Sequence, residues 1–264
     1  MSVRKVLPVI VPAFFGGSEL EACLRSIAQQ KFDGAEPFVH DNTIHNLYFT
    51  AAVNLGLRKY AFRDDVEYLF LLNQDAVMQP GALGRLADFM NSNPACGIAC
   101  PFQVAKDDPD RVTFAGGEKL FPCGYHYAGK RSDFPVPRRI LWASGAAMML
   151  RAEMIREIGV LDRNLRHICS DSDYSLTART RGWELWLVPD AVVEHTSGTS
   201  LHSGPNRELD VVKCSDLLHF AAKWLEGGLY RQLSVDGGLL TPTVVEEEVG
   251  KLRTALQHLK GSNT

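Results

Sequence analysis

Tyr68-Leu69-Phe70-Leu71-Leu72-Asn73-Gln74-Asp75-Ala76 is the stretch on which the fold turns. Five apolar residues run without alternation into an Asn-x-Asp step. Such a run fits a strand buried on both faces of an α/β sheet. Open α/β sheets bind ligands beyond the carboxyl ends of their strands, which is where Asn73, Gln74 and Asp75 fall. A carboxylate flanked by an amide suits a hard cation that also holds phosphate oxygens. The same two residues, Asn73 and Asp75, also suit a turn before a helix opening near Pro80.

Elements extend outward from this strand. Residues 6–11 are β-branched-rich and end at Pro12. Gly16-Gly17 make a loop, and Ser18 with Glu21 three residues on reads as a capping box. Leu20, Cys23, Leu24 and Ile27 then recur at helical spacing. Residues 36–40 read as a second strand ending in Asp41-Asn42, 49–60 as a helix, and 81–90 as the helix after the central strand. The order β-α-β-α-β-α predicts parallel strands with right-handed crossovers. Residues 96–101 add a strand. Residues 105–139 are aperiodic and rich in Gly, Pro and aromatics, as lids and binding loops often are. Residues 140–150 return to strand character, broken by Ser144-Gly145. Residues 152–158 form a short helix stopped by Gly159, 171–181 a helix stopped by Gly182, and 183–188 a strand closed by Pro189. From Asp210 the chain is helical and amphipathic. A last helix over 242–259 carries Glu246, Glu247 and Glu248 early and Lys251, Arg253 and Lys260 late, complementing its dipole. The expected fold class is α/β: a single Rossmann-like, mostly parallel sheet flanked by helices over 1–205, with a C-terminal helical extension over 206–264 packed on the core.

Composition narrows the function. The chain has 264 residues, 45% hydrophobic and 22% charged, with net charge −3. That is a globular composition with no basic excess for nucleic-acid binding. The six cysteines show no Cys-x-x-Cys pair, which argues for reduced thiols in a cytoplasmic setting rather than a zinc or disulfide framework. Arg4-Lys5 and the apolar run after it resemble a signal peptide, but two prolines and the absence of a small-residue cleavage site favour a first strand. No run of 18 apolar residues predicts a membrane span.

Two more candidate sites follow. Asp171-Ser172-Asp173 opens a helix, where aspartates also serve as ordinary caps. His195 lies beyond the strand that Pro189 closes, where a hydrogen-bonded surface histidine is the plainer reading. Together, Asp75, Asp171 and His195 could converge at one sheet edge. A carboxylate and an imidazole, completed by diphosphate oxygens and water, suit Mg²⁺ or Mn²⁺. A second carboxylate free of metal could serve as general base.

These motifs resemble glycosyltransferase family 2, especially its bacterial rhamnosyltransferase-like and galactofuranosyltransferase-like members, over roughly residues 7–200. The Val-Pro-x-x-x-Gly-Gly-x-x-Leu-x-x-Cys-Leu-x-Ser run from Val11 resembles the family's first strand and helix. His40-Asp41-Asn42 resembles its Val-Asp-Asn, Ala52-Val53-Asn54-Leu55-Gly56 its Asn-x-Gly segment, and Leu72 to Ala76 its Leu-Asn-Pro-Asp-Ala variant of Asp-x-Asp. Cys169 to Asp173 stands where the family has Glu-Asp-x-Asp, and Val188 to His195 where it has the segment ending in a metal-binding histidine. Gln74 replaces the usual proline and Ser170 the usual glutamate. The resemblance implies an A-type glycosyltransferase fold and an inverting transfer from a UDP- or dTDP-sugar, a rhamnose, galactofuranose or similar hexose. The receiver would be a glycan or lipid-linked glycan hydroxyl in surface polysaccharide synthesis. It implies metal ligation by Asp75 and His195 and base catalysis by Asp171. Donor contacts fall to Pro12, Ala13, Phe14, Asp41, Asn54, Asn73, Gln74, Asp75, Ser144 and Gly145, with Asp41 reading the base. Acceptor contacts fall to Trp142, Asp173 and Tyr125. Residues 102–137 would wall the acceptor side as a lid hinged at Gly116-Gly117, Gly124 and Gly129, with Phe114, Phe121, Tyr125, His126 and Tyr127 facing sugar. The other reading packs those aromatics into a satellite core. Two alternatives remain in the residues themselves: a non-catalytic nucleotide-sugar-binding subunit, and a sugar nucleotidyltransferase. A peripheral membrane contact and a homodimer are both compatible with the C-terminal helices.

Overall fold

A computed structural model describes residues 5–119, 125–127, 129–195, 206–226 and 242–261. In chain order the strands are β1 (Leu7–Ala13), β2 (Ala35–Asp41), β3 (Tyr68–Leu72), β4 (Ala76–Met78), β5 (Cys96–Ala105), β6 (Asp108–Phe114), β7 (Gly117–Lys119), β8 (Tyr125–His126), β9 (Arg138–Arg139), β10 (Ala147–Arg151) and β11 (Glu184–His195). The helices are α1 (Gly17–Ala28), α2 (Tyr48–Tyr60), α3 (Ala82–Ser92), α4 (Ala152–Ile158), α5 (Ser170–Thr180), α6 (Arg207–Phe220) and α7 (Pro242–Gly261), with a π-helical turn over Ala221–Glu226.

The main sheet runs β2-β1-β3-β10-β5-β11-β4, with β6 on β5 and β9 on β11. β1 is parallel to β2 and β3, and β5 is parallel to β11. The apolar run at 68–72 is continuous because both faces of β3 are covered. Leu69 and Leu71 enter one core cluster, and Tyr68, Phe70 and Leu72 the other. The result is a mixed α/β layer fold with a mostly parallel sheet between helices, as expected.

Several sequence expectations need correction. β10 lies antiparallel between β3 and β5, because the chain returns to the sheet through the excursion of β6 to β9 rather than through one crossover helix. Only Ala147–Arg151 of the 140–150 stretch is strand. The capping box at Ser18 does not form. Helix α1 starts at Gly17, with Gly16 as N-cap and no side-chain cap bond, because Phe15, Gly16 and Gly17 all take positive φ and turn the chain into the helix early. Strand β11 does not stop at Pro189. Its register shifts between Val188 and Val192, an irregularity that accommodates a residue with no N–H to donate. The strand β4 has no counterpart in the sequence reading, being only three residues long.

The excursion is more ordered than its composition suggests. β6 pairs with β5. Phe114 is buried and its ring lies 5.3 Å from Trp142. Phe134 packs on Phe102, and the Arg138 guanidinium covers Tyr127 and Phe134 at 4.1 and 4.6 Å. Phe114 and Phe134 therefore belong to the same core cluster as Leu69 and Leu71, so Phe114 is not a sugar-facing ring, whereas Tyr127 is 38% exposed. Phe121 and Gly124 lie outside the described residues, as do the side chains of Tyr125 and His126.

The C-terminal helices pack on the core. Leu217, Phe220, Trp224, Val245 and Val249 join the cluster that holds Leu69 and Leu71. The expected domain boundary after residue 205 lies outside the described residues. Among the described residues no helix is long and apolar enough to cross a membrane, and the five described cysteines are free.

Candidate active site

β4 decides the geometry of the site. It leaves β3 through Asn73-Gln74-Asp75 and pairs antiparallel with the last residues of β11, setting Ala76 opposite His195. Asp75 precedes Ala76, so the pairing brings the carboxylate to the imidazole. Asp75 Oδ1 and His195 Nε2 stand 3.4 Å apart, with side chains 10% and 15% exposed. Adjacent ligands of an octahedral ion bonded at about 2.1 Å stand about 3 Å apart, so the pair fits one divalent cation with little adjustment. A carboxylate and an imidazole match Mn²⁺ or Mg²⁺. Among the described residues no group of three or more His, Cys, Asp or Glu side chains is arranged to hold a metal ion. Most of the coordination shell would therefore fall to substrate oxygens and water.

Three strand ends form the neighbouring edge. Ala13 ends β1 opposite Asp41, which ends β2. Gln74 clasps the chain after β1: its Oε1 accepts from Phe14 N at 2.8 Å and its Nε2 donates to Phe14 O at 2.8 Å. This clasp holds the loop after β1 to the Asn73–Asp75 step by two hydrogen bonds. Asp41 Oδ1 accepts from Thr43 N at 2.8 Å and from Thr43 Oγ1 at 2.5 Å. These bonds hold its carboxyl below the usual range. Thr43 Oγ1 in turn accepts from Phe15 N at 3.1 Å. Phe14 and Phe15 are 45% and 70% exposed, two apolar rings left open at this edge beside Pro12 and Ala13.

The third component is Asp171, at the start of α5. It is partly buried. Its Oδ2 accepts from Gly145 N at 2.9 Å and its Oδ1 from Ser172 N at 2.8 Å. Burial raises its pKa, opposed by those backbone bonds. Gly145 is required by close approach: a Cβ there would meet Phe49 at 2.9 Å and the Asp171 Cβ at 3.3 Å. The next residue, Ala146, accepts from Asn73 N at 2.8 Å. The short stretch Ser144-Gly145-Ala146 thus ties the Asn73–Asp75 loop on one side to Asp171 on the other.

Three residues expected at the site stand elsewhere, and the side chain of a fourth lies outside the described residues. Asn54 is buried and both ends of its amide are taken by Leu161, Nδ2 donating to O and Oδ1 accepting from N, each at 2.9 Å. It pins α2 to the loop before α5 and is not a donor contact. Asp173 is 2% exposed. It faces the C-terminal turn, 2.7 Å from Lys223 Nζ and 2.6 Å from Trp224 Nε1, so it is not an acceptor contact. It is also no near neighbour charge raising the pKa of Asp171, since burial accounts for that. Trp142 is buried beneath the Gly117 backbone, whose amide donates to Trp142 O at 3.0 Å. A Cβ at Gly117 would overlap its indole. It is core, not an acceptor surface. The Tyr125 backbone lies in β8, which pairs with β7 in a separate two-stranded sheet, and its side chain lies outside the described residues. Sequence reasoning missed Phe49 and Asp216. Phe49 had one legible signal, an apolar residue opening a helix beside a predicted binding loop. Asp216 had none.

Residues 48–208 match the glycosyltransferase-like family 2 domain. The match covers more than half of the chain, which belongs to that family. The fold is similar to that of PcManGT, a mannosyltransferase from Pyrobaculum calidifontis solved in complex with GDP-Man and Mn²⁺ (TM-score 0.58, 15% identity, 100% of this chain and 77% of that one). It is similar to GalNAc-T7, solved with UDP, GalNAc and Mn²⁺ (TM-score 0.57, 13% identity, 96% and 55%). A third likeness is to TarS of S. aureus (TM-score 0.53, 13% identity, 98% and 53%). At such identities the likeness is one of fold, and the chain spans about half the length of the last two. No curated protein sequence matches the chain.

Proposed function

We propose that the protein transfers a hexose such as rhamnose or galactofuranose, with inversion, from a UDP- or dTDP-sugar to a glycan hydroxyl. The observation that carries this reading is the Ser144–Ala146 bridge. It sets an Asp75–His195 cation pair and a partly buried carboxylate, Asp171, at two ends of one short stretch. The two structural neighbours solved with a nucleotide or nucleotide sugar and Mn²⁺ support the donor class.

In this reading the open edge takes the nucleoside. Asp41 accepts from the ring N–H of the pyrimidine, and Phe14 and Phe15 flank it. Asp75 and His195 would hold Mn²⁺ or Mg²⁺, which when bound supplies Lewis-acid neutralisation of a departing diphosphate. Asp171 takes the proton of the acceptor hydroxyl. The new bond forms between that oxygen and the anomeric carbon as the bond to the diphosphate oxygen breaks. The nucleoside diphosphate leaves with the electron pair. The reacting carbon carries oxocarbenium character, as in glycoside hydrolysis. Burial suits Asp171 to the task, because a raised pKa makes the carboxylate a better proton acceptor. A lipid-linked acceptor would make the protein a peripheral partner of the cytoplasmic membrane face.

A donor panel of UDP-, dTDP- and GDP-sugars with Mn²⁺ tests the reading. Thermal shift should single out a pyrimidine donor, because a ligand that binds only the native state raises Tm. Product analysis with a glycan acceptor should give the inverted anomer. A retained anomer, or nucleotidyl transfer in place of glycosyl transfer, would overturn it.

A further inference from the structure

The loop and helix start that carry Asp171 are gripped from one direction, by residues that follow them by tens of positions. Asp216 on α6 is 1% exposed. Its Oδ1 accepts from Arg166 N at 2.9 Å, and its Oδ2 from His167 N at 2.7 Å and Ile168 N at 2.9 Å. One carboxylate therefore satisfies three successive amides immediately before Cys169, which takes a left-handed φ of 64° to start α5. On the other side of Asp171, the buried Asp173 receives Trp224 Nε1 at 2.6 Å and Lys223 Nζ at 2.7 Å. Lys223 also reaches Asp162 at 3.2 Å, and His219 Nε2 lies 3.0 Å from the same Asp162 oxygen. Both Lys223 and Trp224 sit on the π-helical turn. Such turns are rare and often occur at functional sites. Trp224 is 2% exposed, so its indole is not offered to a ligand.

We propose that residues 207–226 are a brace that positions the Asp171 carboxylate, acting through Asp216 on the lead-in loop and through Lys223 and Trp224 on Asp173. The chemistry favours this over a general packing role. A buried aspartate two residues from a base is a liability unless paired, and an all-apolar contact would serve packing as well or better. Charge-assisted hydrogen bonds instead fix direction, which is what a proton acceptor needs at the start of a helix. Ser170, where the family usually has glutamate, is 2% exposed and so is itself walled in. Asp173, Lys223 and Trp224 are positioning residues; none touches substrate.

This inference rests on Asp171 being the base, and the experiment separates the two. Four variants are made in the full chain: Trp224→Phe, Lys223→Met, Lys223→Arg and Asp171→Asn. Val249→Ala, on the helix packed against residues 207–226, serves as a control that loosens that packing while leaving the polar contacts of Asp216, Lys223 and Trp224 in place. Each is assayed well below its own Tm for kcat, acceptor KM and calorimetric affinity for UDP or dTDP with Mn²⁺. Trp224→Phe and Lys223→Met should lower kcat on the order of 10- to 100-fold, the effect of misplacing a catalytic group from a distance, with nucleotide affinity unchanged. Lys223→Arg should recover most of the rate, and Val249→Ala should keep it. If Asp171→Asn is inactive while Trp224→Phe and Lys223→Met keep wild-type kcat, the brace is wrong. If they lose rate only as Val249→Ala does, the contacts are structural and the brace is again wrong. If Asp171→Asn itself stays active, the base assignment fails, and the brace with it.

Discussion

The edge proposed to take the donor and the side proposed to carry the base differ in how open they are. The donor edge lies at the ends of β1, β2 and β3 and is left open. Asp41 is exposed, and Phe14 and Phe15 offer large apolar surfaces to solvent. Its internal bonds are few and mostly to backbone, as in the Gln74 clasp on Phe14. The base side is more closed and, like the Gln74 clasp that spans 60 positions, is tied down from far along the chain. Gly145 reaches Asp171 across 26 positions, Asp216 reaches the 166–168 loop across 48 to 50, and Trp224 reaches Asp173 across 51. The difference teaches what each side must do. A nucleotide has to enter and leave, so its edge stays accessible. A general base has to be aimed before the acceptor arrives, so its orientation is fixed in advance.

The largest expected effect breaks the base side. Asp171→Asn should bind donor normally and lose roughly 10²- to 10⁴-fold in kcat, the usual worth of general-base catalysis. A variant with more than a tenth of wild-type rate would leave Asp171 a helix cap. Next comes the cation pair between the two sides. Asp75→Ala should weaken Mn²⁺-dependent nucleotide binding by about 100-fold or more, because even outer-shell changes cost 10- to 100-fold in metal affinity. Equal affinity with and without metal in the wild-type protein would sink the Asp75–His195 assignment.

A smaller effect probes the open edge. Asp41→Ala should weaken UDP or dTDP roughly tenfold, about one charge-assisted hydrogen bond, and leave pyrophosphate binding alone. Equal losses for both ligands would show that the Asp41–Thr43 turn is a structural device only.

Acid titration contrasts the sides once more. Burial raises the Asp171 pKa above the ordinary 3.8, so the rate, which needs the carboxylate, should rise with pH through a limb above that value. Asp162 has the opposite sign. Burial opposes its ionisation, but the Asn164 amide, His219 and Lys223 hold its pKa down to about 2. Its stabilising contribution is full above 3.8 and is lost as pH falls toward 2. Protection of the α6 amides, measured against their intrinsic exchange rates at each pH, should therefore fall between pH 4 and pH 2 if the brace contacts are real. The smallest effect is structural. Gly117→Ala, which drives a Cβ into Trp142, should lower stability by about 1–3 kcal/mol, the range for overpacked cores, with Kd for nucleotide unchanged. A stability equal to wild type would return Trp142 to the acceptor surface.

The fold was legible where local pattern and tertiary environment agree. The unbroken run at 68–72 marked the central strand because both faces of β3 are buried, and α4 matched its predicted limits because Gly159 ends it at positive φ. The candidate chemistry was legible in part. Asp75, Asp171 and His195 were chosen on residue type and position, and the first and last prove to be 3.4 Å apart. What misled was the family resemblance carried over residue by residue. Asn54, Trp142 and Asp173 carry groups suited to ligands, but each satisfies or covers the protein's own backbone or side chains.

The sequence by itself determined the layer of strands and helices, the strand ends where ligands bind, and a short set of acids and one histidine able to do the chemistry. These follow from hydrophobic periodicity and side-chain type, which act within a few residues. Only the tertiary structure decided that three-residue β4 would swing Asp75 against His195. It also decided that β10 would enter antiparallel and carry Gly145 to Asp171, and that the π-helical turn over Ala221–Glu226 would close over Asp173. Those outcomes depend on pairings between segments tens of residues apart. No local pattern records them, because their stability comes from burial and hydrogen bonds that exist only once both partners are in place.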